Sequence, residues 1–423
     1  MARVLLLVPA ATYRVADFLE AARTLGVEVV IGGDEAHALQ DLMGRRSVQL
    51  PLDDPVAAAE MIVAHDEVAP LDAVIAVDDR GAVAAAEASQ RLGLRHNPPD
   101  AVAATRDKLV MRTRLGRAEV PQPAFTSVAG DAAPEDVTRL LGGVGLPCVV
   151  KPRTLSASQG VLRADTAEEA VAAVERVRRI VAGATGTPDA ALLLERFVPG
   201  PEVAVEGLLT DGVLSVLAVF DKPDPLEGPA FEETIYVTPS RLDAADTSAA
   251  VAAAAAACRA LGLAEGPVHA EVRVHEGRAS VIEVAARTIG GLCARTLTFS
   301  TGRTLEQLVI AQALGRPLGA TRRRTRASGV LMIPIPRAGI LEGVGGRDLA
   351  ARVPGITDIQ ITIAPGRPVV PVPEGDRYLG FVFARGRSPA DVEAALRQAQ
   401  ALLDVRIAPD PDVATTPTGR SPC

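Results

Sequence analysis

The stretch Val268-His-Ala-Glu-Val-Arg-Val-His-Glu-Gly-Arg-Ala-Ser-Val-Ile-Glu-Val-Ala-Ala286 holds two β-branched runs around a Glu-Gly-Arg centre, the pattern of a hairpin. Side chains alternate along a strand, so His269, Glu271 and Arg273 share one face and Val268, Ala270, Val272 and Val274 the other. In the second run Val281, Glu283, Ala285 and Arg287 share a face. A three-residue turn at Glu276-Gly277-Arg278, with glycine in the left-handed conformation, pairs 275 with 279 and sets Glu271 opposite Glu283. Their Cβ atoms then lie about 5 Å apart. Two carboxylates at that distance repel unless a cation or a proton stands between them, and Mg²⁺ takes one or two carboxylates together with phosphate oxygens. Two plainer readings stay open. Arg273 and Arg287 neutralise the face of a solvated hairpin, or a two-residue turn puts the acids on opposite faces.

The rest of the 423-residue chain narrows the choice. Its length predicts two to four domains. The net charge of −8 argues against bulk binding to nucleic acid or an anionic membrane. No apolar run reaches the roughly 20 residues of a membrane span. Cys148, Cys258, Cys293 and Cys423 are far apart, which excludes CxxC metal or redox sites and argues against a disulfide framework. Arg3 before Leu5-Leu6-Leu7-Val8 looks loosely like a secretion signal, but a buried first strand explains the run better, and a reducing cytoplasm is the expected home.

Only three of the 44 basic residues are lysine: Lys108, Lys151 and Lys222. Surface positions tolerate either cation, so a position that kept lysine is read as needing a compact ammonium on a flexible stem rather than a planar fork, with chance survival as the plainer alternative. No lysine follows a glycine, so there is no GxxxxGK[ST] loop; GxGxxG, HExxH and GxSxG are absent too.

Along the chain, apolar runs at 3–8, 27–31 and 72–77 alternate with helical patterns up to Leu25 and at 81–92, which predicts a small parallel α/β sheet over residues 1–98. Asp34, Asp78 and Asp79 fall at strand ends, as ligand contacts or as helix caps. A second block, 99–320, carries strands at 147–152 and 192–195, an alternating stretch from Glu202, and helices at 166–181 and 248–261. The Pro- and acid-rich segment 221–241 is too long for an ordinary connection. The arginine run at 322–326 reads as a linker, residues 328–408 as an α+β domain ending in a helix at 389–403, and 409–423 as a disordered tail.

Asp107-Lys108-Leu109 opens a helix. Cys148-Val-Val-Lys151-Pro152 ends a strand, and the turn Thr154-Leu-Ser-Ala-Ser-Gln-Gly160 after it offers backbone N–H groups and hydroxyls to phosphate. Leu192-Leu-Leu-Glu195-Arg-Phe-Val198-Pro-Gly-Pro-Glu202 is an apolar strand ending in an acid and an aromatic, with a second acid beyond a Pro-Gly turn. In this order, ahead of the 268–286 hairpin, these pieces resemble the ATP-grasp fold over about residues 100–300. That resemblance implies an N-terminal Rossmann-like parallel-sheet domain, a central ATP-grasp domain of two subdomains and a C-terminal α+β domain.

The resemblance also implies roles. Lys108 and Lys151 would bind the α/β-phosphates of ATP, with Ala157, Ser158 and Gly160 in the loop closing over them. Glu195 would accept from the adenine amino group, the Phe197–Val198 backbone would hold the ring edge, and Glu202 would bind the ribose. Glu271 and Glu283 would carry Mg²⁺ (one or two ions, with Mn²⁺ as a substitute). The family commonly has asparagine two residues after the second metal acid. Here that residue is Ala285, which puts a second ion in doubt. This departure, with Arg287-Thr-Ile-Gly290-Gly291, looks like the L-amino acid ligase branch, whose substrate segment Glu232-Glu233-Thr-Ile-Tyr236 also resembles. Glu233, Tyr236, Arg287, Gly290 and Gly291 would then face the substrates, Arg287 as the catalytic group; Phe220-Asp-Lys222-Pro-Asp-Pro looks like part of the same segment, but the resemblance gives Lys222 no firm role. The implied enzyme joins a carboxylate to an amine through an acyl phosphate, with ATP and small molecules as its only partners and a homodimer as the commonest assembly. A carboxylase acting through carboxyphosphate and a non-catalytic nucleotide-binding regulator are the alternatives.

Overall fold

The opening apolar run forms the strand Arg3–Leu7, whose Leu5, Leu6 and Leu7 are wholly buried. It pairs in parallel with Glu28–Gly33 on one side and Ala73–Ala76 on the other, and Ser47–Gln49 extends the sheet beyond Glu28–Gly33. Helices Val15–Leu25 and Ala82–Leu92 end at Gly26 and Gly93, both in the left-handed conformation that lets the chain turn into the next segment. The parallel sheet read from the alternating runs is present.

The computed structural model describes residues 1–9, 12–34, 46–299, 301–321 and 326–410. Residues 322–325 of the arginine run, Cys423 and the tail from 411 lie outside the described residues. The chain divides into two compact units, one of residues 1–127, 195–222 and 238–325, the other of 128–194, 223–237 and 326–423. The stretch 99–320 therefore contributes to both.

In the first unit, Arg278–Ala285, Gly266–His275, Glu202–Thr210 and Val213–Asp221 follow one another in an antiparallel sheet. Helix Ala244–Leu261 covers its apolar face; its alanines bring the helix close to Val268, Val272, Val281 and Val284. Glu202–Thr210 is buried on both faces up to its last residue, so its alternation separates an apolar core from an internal polar face rather than from solvent.

The hairpin turn differs from the sequence reading. His275 pairs with Arg278, so the turn has two residues, Glu276 at φ 49° and Gly277 at φ 73°. By itself that turn would set Glu283 opposite Ala270 and on the core face. A bulge between Val281 and Glu283 adds one residue, Ile282, and restores the pair Glu271–Glu283. The phase slip is visible in the burial pattern, where Val281 and Val284 both face the core across an interval of three. The predicted pairing holds, for a different reason.

The second unit contains Cys148–Pro152 and its antiparallel neighbour Leu162–Ala164, packed on helices Pro134–Val144 and Ala167–Thr185. It also contains the antiparallel strands Ala327–Ile333, Gly380–Gly386 and Ile356–Ile361, covered by helix Pro389–Leu402. Within the irregular segment 221–241 lies a strand the sequence reading lacked, Ile235–Thr238.

Candidate active site

The internal polar face of the first unit is built by cross-strand register. Arg273 lies opposite Glu202, Glu271 opposite Ala204, and His269 opposite Glu206; one strand further on, Glu271 meets Glu283. The side chains form one ladder. Arg273 donates through Nη1 to the Val198 carbonyl (2.7 Å) and through Nε to Glu202 (2.9 Å), and its guanidinium covers the Phe197 ring at 5.1 Å. Lys222 Nζ holds Glu202 (2.6 Å) and Glu271 (3.0 Å). Glu271 reaches His269 Nε2 (3.3 Å), His269 Nδ1 bonds Glu206, and Glu206 accepts the Ile289 N–H (3.1 Å). Burying charges is tolerated only when each is paired, and here each carboxylate has a cation beside it.

Burial by itself would push the His269 imidazole down, but Glu206 and Glu271 override it and hold it up at about 9, so the ring is cationic at neutral pH. Burial likewise works against the Glu271 carboxylate, and Lys222 and His269 overcome it and keep its pKa well below the usual range. Burial pushes the thiol of Cys148 up to about 11 and that of Cys258 to about 12, so these two stay protonated at neutral pH.

Helix Lys108–Arg117 supplies the next two groups. Asp107 caps it as the sequence suggests, accepting from the N–H groups of Leu109 (2.9 Å) and Val110 (3.2 Å). Lys108 reaches to 3.5 Å from Glu283. One turn on, Arg112 binds both oxygens of Glu195, at 2.7 and 3.2 Å. All three lysines of the chain are buried. Lys222, unassigned from sequence, is the bridge between two acids.

Several expected ligand groups already have protein partners. The Glu195 carboxylate, expected to meet an adenine amino group, is a buried partner of Arg112, and Glu202, expected to meet ribose, is shared by Lys222 and Arg273. The Val198 carbonyl is bonded to Arg273. Gly200, at φ 96°, brings the Pro199–Pro201 turn so close that a Cβ would stand 2.3 Å from the Val274 carbonyl. Arg287 is paired with Asp79 (2.8 Å), not with Glu271, and donates to the Thr288 carbonyl (2.9 Å). Arg14 bonds the Thr288 hydroxyl. Gly290 and Gly291 follow in the same loop, whose Ile289 N–H is fixed by Glu206.

In the second unit Lys151 is buried at the end of its strand. The loop after it places Ala157 (φ 54°), Ser158 (φ 56°) and Gly160 (φ 71°) in the left-handed region, which for the two non-glycine residues costs about 1–2 kcal/mol each. The Gly160 N–H, expected at phosphate, donates to the Pro373 carbonyl (2.9 Å), and Gln159 donates to the Glu374 carbonyl (2.8 Å). Glu233 is partly buried, and Tyr236 is buried within Ile235–Thr238.

Asp79 supports a stability prediction. Burial would raise its carboxyl, but Arg287 and Arg106 override that and bring it down from 3.8 to about 2. A depressed native pKa stabilises above the unfolded value and loses that contribution as pH falls from about 4 to about 2. The shift is worth about 2 kcal/mol. Urea unfolding of Asp79→Asn against the parent is expected to show a gap of about that size at pH 7, closing as pH falls through 3. A gap independent of pH would mean that the ion pair is not its source.

The donor set at 271 and 283 suits a hard divalent cation: two carboxylates on one face, facing each other, each with an ammonium in the place of a metal's charge. Ala285 offers no side-chain ligand for a second ion. A polar face with a paired-acid hairpin, a lysine-headed helix and the apolar strand Leu192–Arg196, the hinge strand that leads into Phe197 and Val198, suits the handling of a nucleotide and its metal. The chain carries ATP-grasp domains: residues 144–296 match the ATP-grasp domain and 19–96 the ATP-grasp N-terminal domain. Residues 331–408 match the L-amino acid ligase C-terminal domain 2.

The L-amino acid ligase of Bacillus licheniformis superimposes with a TM-score of 0.78 at 25% identity, over 96% of this chain and 99% of that one. Alanine–anticapsin ligase of Bacillus subtilis is 32% identical over 222 residues, which are 48% of this chain and 46% of the relative. The chain thus spans about half the length of that ligase. An uncharacterized protein of Sinorhizobium fredii is 27% identical over 382 residues, 86% of this chain and 77% of the relative. The ATP complex of carboxyaminoimidazole ribonucleotide synthase from Aspergillus clavatus (TM-score 0.73, 16% identity, 95% and 98% covered) shares the fold alone.

Proposed function

We propose that the chain is an ATP-dependent carboxylate–amine ligase that joins an amino acid to an amine and releases ADP and phosphate. The observation that carries this reading is the facing pair Glu271–Glu283 with Lys222 and Lys108 on its two acids. Likeness to ligases of amino acids in two comparisons supports the substrate class. In this reading the domains are 1–98, 99–320 and 328–408, and the enzyme works in the cytoplasm.

The substrate carboxylate attacks the γ-phosphorus, the bond to the β-bridging oxygen breaks and ADP leaves. The neutral amine nitrogen then attacks the acyl carbon, phosphate departs with the electron pair of the C–O bond, and the proton lost by the nitrogen leaves with the phosphate. The first step is mainly positioning and charge neutralisation. Lys108 and Lys151 hold the phosphates, beside the loop of Ala157, Ser158 and Gly160. Glu271 and Glu283 would hold Mg²⁺, which when bound would neutralise charge on the transferring group. The hinge backbone at Phe197 and Val198 meets the adenine edge, Glu195 orders that hinge through Arg112, and Glu202 meets the ribose by exchanging Lys222 or Arg273. Glu233, Tyr236, Gly290 and Gly291 line the substrate side, and Arg287 stabilises the tetrahedral oxyanion.

Phosphate release with ATP and Mg²⁺, screened over the twenty amino acids singly and in pairs, tests the reading. The expected result is release that needs amino acids and is indifferent to bicarbonate. Release driven by bicarbonate alone would turn the assignment to the carboxylase, and tight ATP binding without release to the regulator.

A further inference from the structure

Arg112 has a wholly buried side chain, and it is the bulkiest of the fully buried side chains among the described residues. Neutralising Glu195 takes Nε and one terminal nitrogen. The guanidinium does more: Nη1 donates to the Val281 carbonyl (3.2 Å) and Nη2 to the Ile282 carbonyl (2.6 Å). In a regular strand successive carbonyls point to opposite sides, so one planar group cannot collect both. It collects them here because the bulge between Val281 and Glu283 turns them the same way. Arg278–Ala285 is the edge strand of its sheet, so among the described residues no further strand holds these carbonyls. The residue after the clamped carbonyls is Glu283. The same helix places Lys108, four residues before Arg112, 3.5 Å from the Glu283 carboxylate.

We propose that Arg112 is a positioning residue for Glu283: by holding both bulge carbonyls it fixes the register offset that turns this acid toward Glu271, and through Glu195 it ties the hinge strand to the metal-binding hairpin. The inference rests on the reading that Glu271 and Glu283 hold the divalent ion. Lysine cannot replace the fork, because an ammonium cannot meet four acceptors in two directions at once. Substitution by alanine alone would leave Glu195 buried without its cation and would test folding as much as position. The informative variant removes both charges, Arg112→Met with Glu195→Leu.

Mn²⁺ binding in the presence of ADP, followed by electron paramagnetic resonance on the full chain, reads the effect. The double variant is expected to melt within a few degrees of the parent while its Mn²⁺ affinity falls on the order of tenfold, the low end for groups that orient metal ligands. Arg112→Lys is expected to weaken Mn²⁺ similarly with Glu195 still paired. If the melting temperature drops and the folded protein binds Mn²⁺ as the parent does, Arg112 is a structural ion-pair partner and the inference is overturned. Glu283→Gln separates the two levels. If it leaves Mn²⁺ affinity unchanged, the metal reading fails and the inference goes with it. If it loses Mn²⁺ while the Arg112 variants do not, the inference about Arg112 fails alone.

Discussion

Replacing Glu271 and Glu283 together by glutamine is expected to lower amino-acid-dependent phosphate release at least a thousandfold and to abolish the thermal stabilisation that Mg²⁺ with ADP gives the parent. A metal that neutralises phosphoryl charge supplies several kcal/mol in the transition state, and about 4 kcal/mol is three decades in rate. At a hundredfold excess over its dissociation constant a bound ion adds about 2.7 kcal/mol to stability, which the double variant forfeits. The fold itself is expected to survive. Lys222 keeps Glu202 at 2.6 Å, and His269 keeps Glu206. The two single variants should differ: Glu271 is the more enclosed acid and holds both Lys222 and His269, whereas Glu283 is held by Lys108 at 3.5 Å. Glu271→Gln is therefore expected to cost more folding stability than Glu283→Gln. Undiminished turnover in the double variant would remove the metal site and the proposed reaction with it.

The pairing of those acids shows how far the sequence was legible. Strand periodicity identified two strands and the polar face of the first, because a valine face against a charged face is a period-two signal; in the second strand it put Val281 beside Glu283, whereas the bulge sends Val281 to the core. The turn length was misjudged. Glu276-Gly277 adopts positive φ at both positions, including a glutamate, and a bulge then compensates for the shorter turn. Neither event has a strong local signature, although the three-residue spacing of Val281 and Val284 betrays the bulge in retrospect. The cross-strand partners His269–Glu206 and Arg273–Glu202 were open to the same period-two matching once Glu202–Thr210 was taken as their neighbour.

What composition carried, it carried well. A chain that uses arginine nearly everywhere kept lysine at three buried positions, and the structure assigns Lys222 a bridge that no motif suggested. Its single asparagine is likewise structural: Asn97 accepts the N–H groups of Ala264 and Glu265 and donates to the Glu265 carbonyl. Arg112 escaped notice for the opposite reason. One arginine among 41 has no compositional mark, and its four acceptors come from segments 83 and about 170 residues away in sequence.

Arg287→Ala is expected to leave the KM for ATP within about threefold and to lower the rate of amide formation by roughly a hundred- to a thousandfold, the loss of about 2.7–4 kcal/mol typical of one oxyanion donor. The structure complicates that test, because Arg287 is also the close partner of half-buried Asp79, whose other paired cation is Arg106 at 3.3 Å. Removing the guanidinium thus subtracts stability as well as catalysis, and a slow enzyme could be a damaged one. The pair Arg287→Ala with Asp79→Ala separates the two effects. Without its acid, the cavity left by Arg287 no longer borders a carboxylate that has lost the closer of its two cations, and the melting temperature is expected to recover toward that of the parent. The rate is expected to stay low, since nothing in the double variant meets the developing negative oxygen. Recovery of rate together with stability would show that Arg287 serves Asp79 and leaves the tetrahedral step to another group.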